Sequence, residues 1–231
     1  MGIYLRILNC LLEHKNTPNL LRYICCYLMQ IVIAYPAIRY IEKNEDYCLS
    51  NKIDYFGEGW TNKETFGQKY VMEQLGRHVN SGSKLLHIGI GNSNLYEQCR
   101  LCKCIHGVTV IYREWEKGKK YNDCKYIVYL IDKNDPHALK SFLTKYDVII
   151  DPHLKSYACC NYHFDKYLEI LINSLNPNGM ILTHIGGFNY HVKYGYKNIL
   201  TKSEIKSICN KLGTQVVIKV NYKGVVTIAP V

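Results

Sequence analysis

The sequence predicts an α/β fold built on a mostly parallel, seven-stranded sheet that ends in an antiparallel hairpin. Two observations carry this. From Lys84 onward, short apolar runs alternate with helical patterns. Runs that are apolar throughout, rather than at every second residue, suit a sheet covered by helices on both faces. The last two runs, TQVVIKV (214–220) and GVVTIAP (224–230), are separated only by Asn221-Tyr222-Lys223, which is short enough for a hairpin.

The elements follow in order. Glu64 to Val79 reads as a helix, with Phe66, Tyr70, Val71, Gln74 and Leu75 near one face. KLLHIGI (84–90) is the first strand and stops at a glycine turn. Leu95 to Ile105 reads as a helix, and VTVIY (108–112) as the second strand. YIVYLI (126–131) is the third strand, with little room for a helix in the 113–125 connection. Pro136 to Leu143 is a short helix, and YDVII (146–150) the fourth strand. Tyr162 to Leu175 is a helix ending at Asn176-Pro177-Asn178-Gly179, and MILTHI (180–185) is the fifth strand. Thr201 to Leu212 is a helix, with Thr201 as cap and Glu204 completing a capping box.

Residues 1–60 differ in character and are expected to form an N-terminal helical segment and loop, with an α/β domain over 61–231. Thr17-Pro18 is a helix start. Residues 20–41 are strongly apolar, broken by Arg22, Gln30, Pro36 and Arg39. The uninterrupted part is shorter than the roughly 20 residues a membrane span needs, and Pro36 breaks it. A buried helix is the favoured reading. Residues 18–41 are then the place for a homodimer contact or a peripheral membrane contact.

Composition narrows the class. The chain has 231 residues, 48% hydrophobic and 21% charged, which are globular values. They exclude a mainly disordered chain, a collagen-like chain and a multi-pass membrane protein. The net charge of +10 comes mostly from scattered Lys, with one cluster from Lys117 to Lys120. Such a charge supports only non-specific attraction, so a nucleic-acid partner is not expected. There are 11 cysteines, an odd number in a chain too long for a small disulfide scaffold. No secretory signal opens the sequence, so reduced thiols in a cytoplasmic setting are expected.

The most informative segment is LLHIGIGNSNL (85–95). A strand runs into Gly89-x-Gly91 and then toward a helix. Glycine lets a backbone turn sharply and approach a ligand. A tight turn with no ligand gives the same pattern. The elements that follow make the pattern more specific.

Residues 84–231 resemble the class I S-adenosylmethionine-dependent methyltransferases. HIGIGNS (87–93) is similar to their glycine motif, KYDVIIDPH (145–153) to their fourth-strand motif, and LNPNGMILTH (175–184) to the segment entering their fifth strand. The terminal hairpin is similar to their antiparallel sixth and seventh strands. The resemblance implies a Rossmann-like fold, S-adenosylmethionine as cofactor and a small-molecule substrate. It departs from the family pattern at His87, which stands where the family has an acid, and at Ser93, which replaces a third glycine. Tyr112 stands where the second strand usually ends in an acid, with Glu114 two positions on.

The resemblance also implies roles. His87, Gly89, Gly91, Asn92 and Ser93 would cradle the cofactor's amino-acid end. Tyr112 or Glu114 would meet its ribose, and Asp132 would lie near the adenine. Ligands of open α/β sheets sit beyond the carboxyl ends of the strands, which brings in Asp151, His153 and His184 as candidate catalytic residues. A histidine is suited to proton transfer near neutrality. Two imidazoles and a carboxylate are also a metal ligand set, and each histidine reads equally well as a structural residue; no metal is assigned. Cys99-x-x-Cys102-x-Cys104-x-His106 has zinc-type ligands or is a set of packing thiols. The loop over 186–198, rich in Gly and Tyr, is expected to face the substrate. The alternative function is a catalytically inactive domain of this fold serving as a binding or membrane-associated scaffold, motivated by His87 and Tyr112.

Overall fold

The computed structural model describes residue 53 and residues 65–121, 125–156, 158, 161–188 and 200–231. The N-terminal segment through residue 41, the 18–41 contact and most of the 186–198 loop lie outside the described residues.

Apolar runs pair into one sheet because their backbone groups must be bonded wherever they are buried. Seven strands result: β1 (Lys84–Ile88), β2 (Cys104–Thr109), β3 (Tyr126–Leu130), β4 (Tyr146–Ile150), β5 (Leu175–His184), β6 (Val216–Val220) and β7 (Val225–Pro230), in the order β3-β2-β1-β4-β5-β7-β6. β1 pairs in parallel with both β2 and β4. β7 inserts antiparallel between β5 and β6, so the sheet is parallel except at its C-terminal hairpin.

Helices cover both faces. On one lie α1 (Phe66–Leu75), α2 (Asn94–Gln98) and α3 (Tyr112–Lys119); on the other lie α4 (Pro136–Phe142), α5 (Asn161–Asn173) and α6 (Lys202–Lys211). Tyr70, Val71, Leu75, Leu95 and Tyr96 pack with Leu85, Ile105 and Val148 on the first side. Leu139, Phe164, Leu168, Ile205 and Ile208 pack with Leu86, Ile149 and Ile181 on the second. Each fully buried aliphatic side chain in these layers stabilises the fold by about 1.5–3 kcal/mol relative to exposure. Thr65 caps α1 with Gln68 in a capping box, and Thr201 caps α6 with Glu204 in the same way. Among the described residues no helix is long and apolar enough to cross a membrane.

Three sequence expectations are corrected. The helix expected over Leu95–Ile105 is the short α2, and β2 begins at Cys104 instead of residue 108. Gly107 is the reason. It sits inside β2, where a Cβ would lie 2.7 Å from Ile90 Cγ2, so it is a packing glycine and not a break between elements. Tyr112 therefore opens α3 rather than closing β2, and the 113–125 connection does hold a helix. Last, the Asn176–Gly179 turn lies within β5, where the pairing register with β4 shifts between Tyr146 and Val148.

The four residues with zinc-type side chains do not converge. Cys99 and Cys102 are buried in the layer that holds Ile105. His106, one position along β2, points to the opposite face and hydrogen-bonds Tyr146 at 2.6 Å. Among the described residues no group of three or more His, Cys, Asp or Glu side chains is placed to hold a metal ion. Burial first, and the adjacent Cys102 thiol second, push the Cys99 thiol up to about 12. The thiolate is the reactive form. Cys99 and the fully buried Cys209 should therefore resist iodoacetamide at pH 8 in the folded protein and react in urea. Peptide mapping by mass spectrometry checks this; rapid labelling of Cys99 without denaturant would contradict it.

Candidate active site

The carboxyl ends of β1 to β5 carry the candidate residues. At β1 the chain bends through Gly89 (φ 73°), Gly91 (φ 50°) and Ser93 (φ 60°). All three are in the left-handed region, which costs a residue with a Cβ roughly 1–2 kcal/mol. Ser93 meets that cost where the resembled motif has glycine. Its hydroxyl is buried and accepts a hydrogen bond from the Tyr126 hydroxyl at 2.9 Å, which offsets part of the strain. Gly89 differs from its neighbours: it is exposed, and a Cβ built on it would meet no atom of the described residues within 4 Å. Open space therefore stands over the backbone at the top of β1, where exposed Gly89 lies between buried Ile88 and Ile90. Asn92 is half-buried beside it.

His87 lies just below this bend. It is buried, and among the described residues its Nδ1 has no hydrogen-bond partner. Burial lowers its pKa to about 4, opposed by the nearby Asp151 carboxylate. His87 is thus neutral at pH 7, where the resembled family has a charged acid.

Beyond β2 a carboxylate is present after all, contributed by a helix. Glu114, in the first turn of α3, is buried and accepts a 2.7 Å hydrogen bond from the hydroxyl of Thr109, the last residue of β2. Tyr112 is half-buried and stacks obliquely with Trp115 at 5.4 Å. Asp132, after β3, accepts hydrogen bonds from the Asn134 backbone N–H at 2.8 Å and its side-chain amide at 3.0 Å. That carboxylate shapes its own turn.

Asp151 follows β4 and is 1% exposed. Its Oδ2 accepts from the Tyr167 hydroxyl at 2.6 Å and from Lys133 Nζ at 2.9 Å, and its Oδ1 accepts from the His153 backbone N–H at 2.9 Å. Lys133 Nζ also donates to the carbonyl of His153 at 2.7 Å. A buried carboxylate needs such a set to offset its desolvation. Its charge acts on both His87 and His153, so the three residues share one electrostatic environment. Burial lowers the pKa of His153, against Asp151 and with Lys133.

His184 ends β5. Its Nε2 donates to the Lys223 carbonyl at 3.0 Å, and its Nδ1 accepts from the Gly186 N–H at 3.0 Å. Burial lowers its pKa to about 4, the Lys223 carbonyl opposes this, and His153 lowers it further. The ring is enclosed: a Cβ at Gly67, Gly186 or Gly224 would come within 2.9–3.0 Å of it. The structure thus brings Asp151, His153 and His184 together, but both ring nitrogens of His184 are already bonded within the protein.

Sequence reasoning missed Lys133, Tyr167 and Gly187. Lys133 follows Asp132 at a strand end and reads as a surface lysine, and Tyr167 reads as a helix-core aromatic. The signal available for Lys133 was its place at the ligand-facing end of the sheet.

No protein-family model and no curated protein matches the sequence. Solved structures do match in shape. The N-methyltransferase NodS from Bradyrhizobium japonicum WM9, in complex with S-adenosyl-L-homocysteine, aligns over 73% of this chain and 88% of its own, with TM-score 0.51 and 14% identity. A TehB-like SAM-dependent methyltransferase from Corynebacterium glutamicum aligns over 73% and 89%, with TM-score 0.52 and 10% identity. SAM-bound CalS10, an amino pentose methyltransferase from Micromonospora echinaspora, aligns over 72% and 92%, with TM-score 0.51 and 7% identity. With the sheet order and the glycine bend at β1, these matches show that the chain has the fold of the class I S-adenosylmethionine-dependent methyltransferases.

Proposed function

We propose that this chain is an S-adenosylmethionine-dependent methyltransferase of a small-molecule substrate. The observation that carries the reading is the open space over exposed Gly89 at the top of β1, inside the sheet between β2 and β4. A side chain there would fill the place of a ligand. The residues around it suit the cofactor. Gly89, Gly91, Asn92 and Ser93 form the cradle for its amino-acid end, Glu114 with Tyr112 lies on the ribose side, and Asp132 on the adenine side. His87 is a neutral group under the cradle, so it contributes shape rather than charge.

S-adenosylmethionine, when bound, supplies an electrophilic methyl group on a sulfonium. The protein's part is alignment and proton removal. Asp151, His153 and His184 bound the acceptor side. His153 is the candidate to take the acceptor's proton, because it is half-buried whereas Asp151 and His184 are buried. His184 and Asp151 hold the surroundings of His153.

Isothermal titration of the intact protein with S-adenosylmethionine and S-adenosylhomocysteine tests the reading. Both should bind. Gly89→Ala should stay folded at the cost of its left-handed backbone, roughly 1–2 kcal/mol, since its Cβ meets no atom of the described residues within 4 Å, and lose binding by tenfold or more. No binding by the wild type at millimolar ligand would overturn the reading and leave the non-catalytic binding module in its place.

A further inference from the structure

We propose that Lys133 is a positioning residue for the acceptor side of the site: by holding Asp151 it ties the loop after β3 to the loop after β4 and fixes His153 in place. This rests on the methyltransferase reading of the same site. Asp132 and Lys133 are adjacent, so one loop carries the adenine-side carboxylate and the ammonium that reaches across to β4.

Three observations support the assignment. Lys133 is almost out of solvent, with its side chain 12% exposed and that of Asp151 2%. A lysine leaves water only where its charge is matched and its N–H groups are bonded. Here they are: Nζ donates to Asp151 Oδ2, to the His153 carbonyl at 2.7 Å and to the Leu154 carbonyl at 3.4 Å. Two of the three acceptors belong to the backbone of the loop that carries His153. Lys133 Nζ also stands 5.3 Å from the Tyr167 ring, whose hydroxyl donates to the same carboxylate oxygen. The lysine therefore bridges the loop after β3, the loop after β4 and helix α5.

The arrangement divides labour. Asp151 is the anchor, and the His153 imidazole is the group that exchanges a proton with the acceptor. Among the described residues, Asp151 and Lys133 act on His153, and His153 in turn acts on His184. Lys133 holds the His153 pKa down, and Asp151 holds it up. Removing the ammonium takes away the first influence and unmasks the second.

The test uses the full-length protein with its histidine C2 protons followed by NMR from pH 8 to 5. The series is wild type, Lys133→Met, Lys133→Arg and Tyr167→Phe, with His153→Gln to assign the signal. Lys133→Met should raise the His153 pKa, and Lys133→Arg should return it toward the wild-type value. Tyr167→Phe removes only a hydroxyl and keeps the ring; it should raise the His153 pKa in the same direction and keeps the test open if Lys133→Met does not fold. S-adenosylhomocysteine affinity should fall severalfold in Lys133→Met and recover in Lys133→Arg. An unmoved His153 titration in a folded Lys133→Met or Tyr167→Phe protein would overturn the proposal, even if melting temperatures fall. Wild-type protein that binds no S-adenosylhomocysteine overturns the methyltransferase reading instead, and the titration still reports on the link.

Discussion

Taking the protein from pH 7.5 to pH 4.5 should remove several kcal/mol of stability through two histidines. His87 and His184 are both buried and both have folded pKa values of about 4, against about 6.5 in an unfolded chain. The sign follows from proton counts. Between these values the unfolded state binds protons that the native state refuses, so acid favours unfolding. The stability is fully present above about pH 6.5 and is lost as pH falls toward 4. Each histidine accounts for about 3 kcal/mol over that window. Together they approach the roughly 5–15 kcal/mol that holds a typical domain together. Urea unfolding at pH 7.5 and 4.5 measures it, and His87→Leu, which fits the apolar surroundings, should remove about half of the difference. Equal urea midpoints at the two pH values would contradict the burial of both rings.

The second large effect is steric. Gly187 lies in the turn after β5, and its carbonyl accepts from the Lys155 N–H at 3.0 Å. A Cβ there would sit 2.1 Å from the Pro152 carbonyl oxygen and 2.7 Å from His153 Cα. These are backbone atoms, so no side chain can swing away. Gly187→Ala should cost about 3 kcal/mol, at the upper end of the usual overpacking range, and displace the loop that carries His153. Gly89→Ala is the control. It meets no atom of the described residues within 4 Å and should cost only the left-handed backbone penalty, roughly 1–2 kcal/mol. Thermal or urea unfolding of both variants separates them; equal losses would mean that the loops after β4 and β5 do not interlock as described.

The contrast between these two glycines shows how much of the molecule was legible. β4 was read from Tyr146 to Ile150 as it stands, because an apolar run bounded by polar residues has one placement in a covered sheet. Both capping boxes were local patterns of the right kind, although only the one at Thr201 was named. β2 was misplaced because a glycine inside a strand, packed against Ile90, looks like a break when its neighbours are unknown. Within the candidate site, the bend at Gly89 and Gly91 was visible, since left-handed turns leave a glycine signature. The acid beside β2 was half visible: Glu114 was named, but its arrival from a helix depends on where β2 ends. Gly187 was illegible and Lys133 showed only its place at the ligand-facing end of the sheet, because the importance of both is set by atoms far away in sequence.

The departures from the resembled family also gain physical content. Ser93 tolerates a glycine position because Tyr126 donates to it. His87 replaces a carboxylate with a neutral ring, and the buried charge of the site is carried instead by the Lys133–Asp151 pair.

Crystals of the full-length protein soaked with S-adenosylhomocysteine test the central claim most directly. The account predicts ligand density over Gly89, with the amino-acid end against Gly91–Ser93 and the adenosyl group toward Glu114 and Asp132. A saturating soak that leaves this space empty, or a side chain of the protein filling it, would contradict the account.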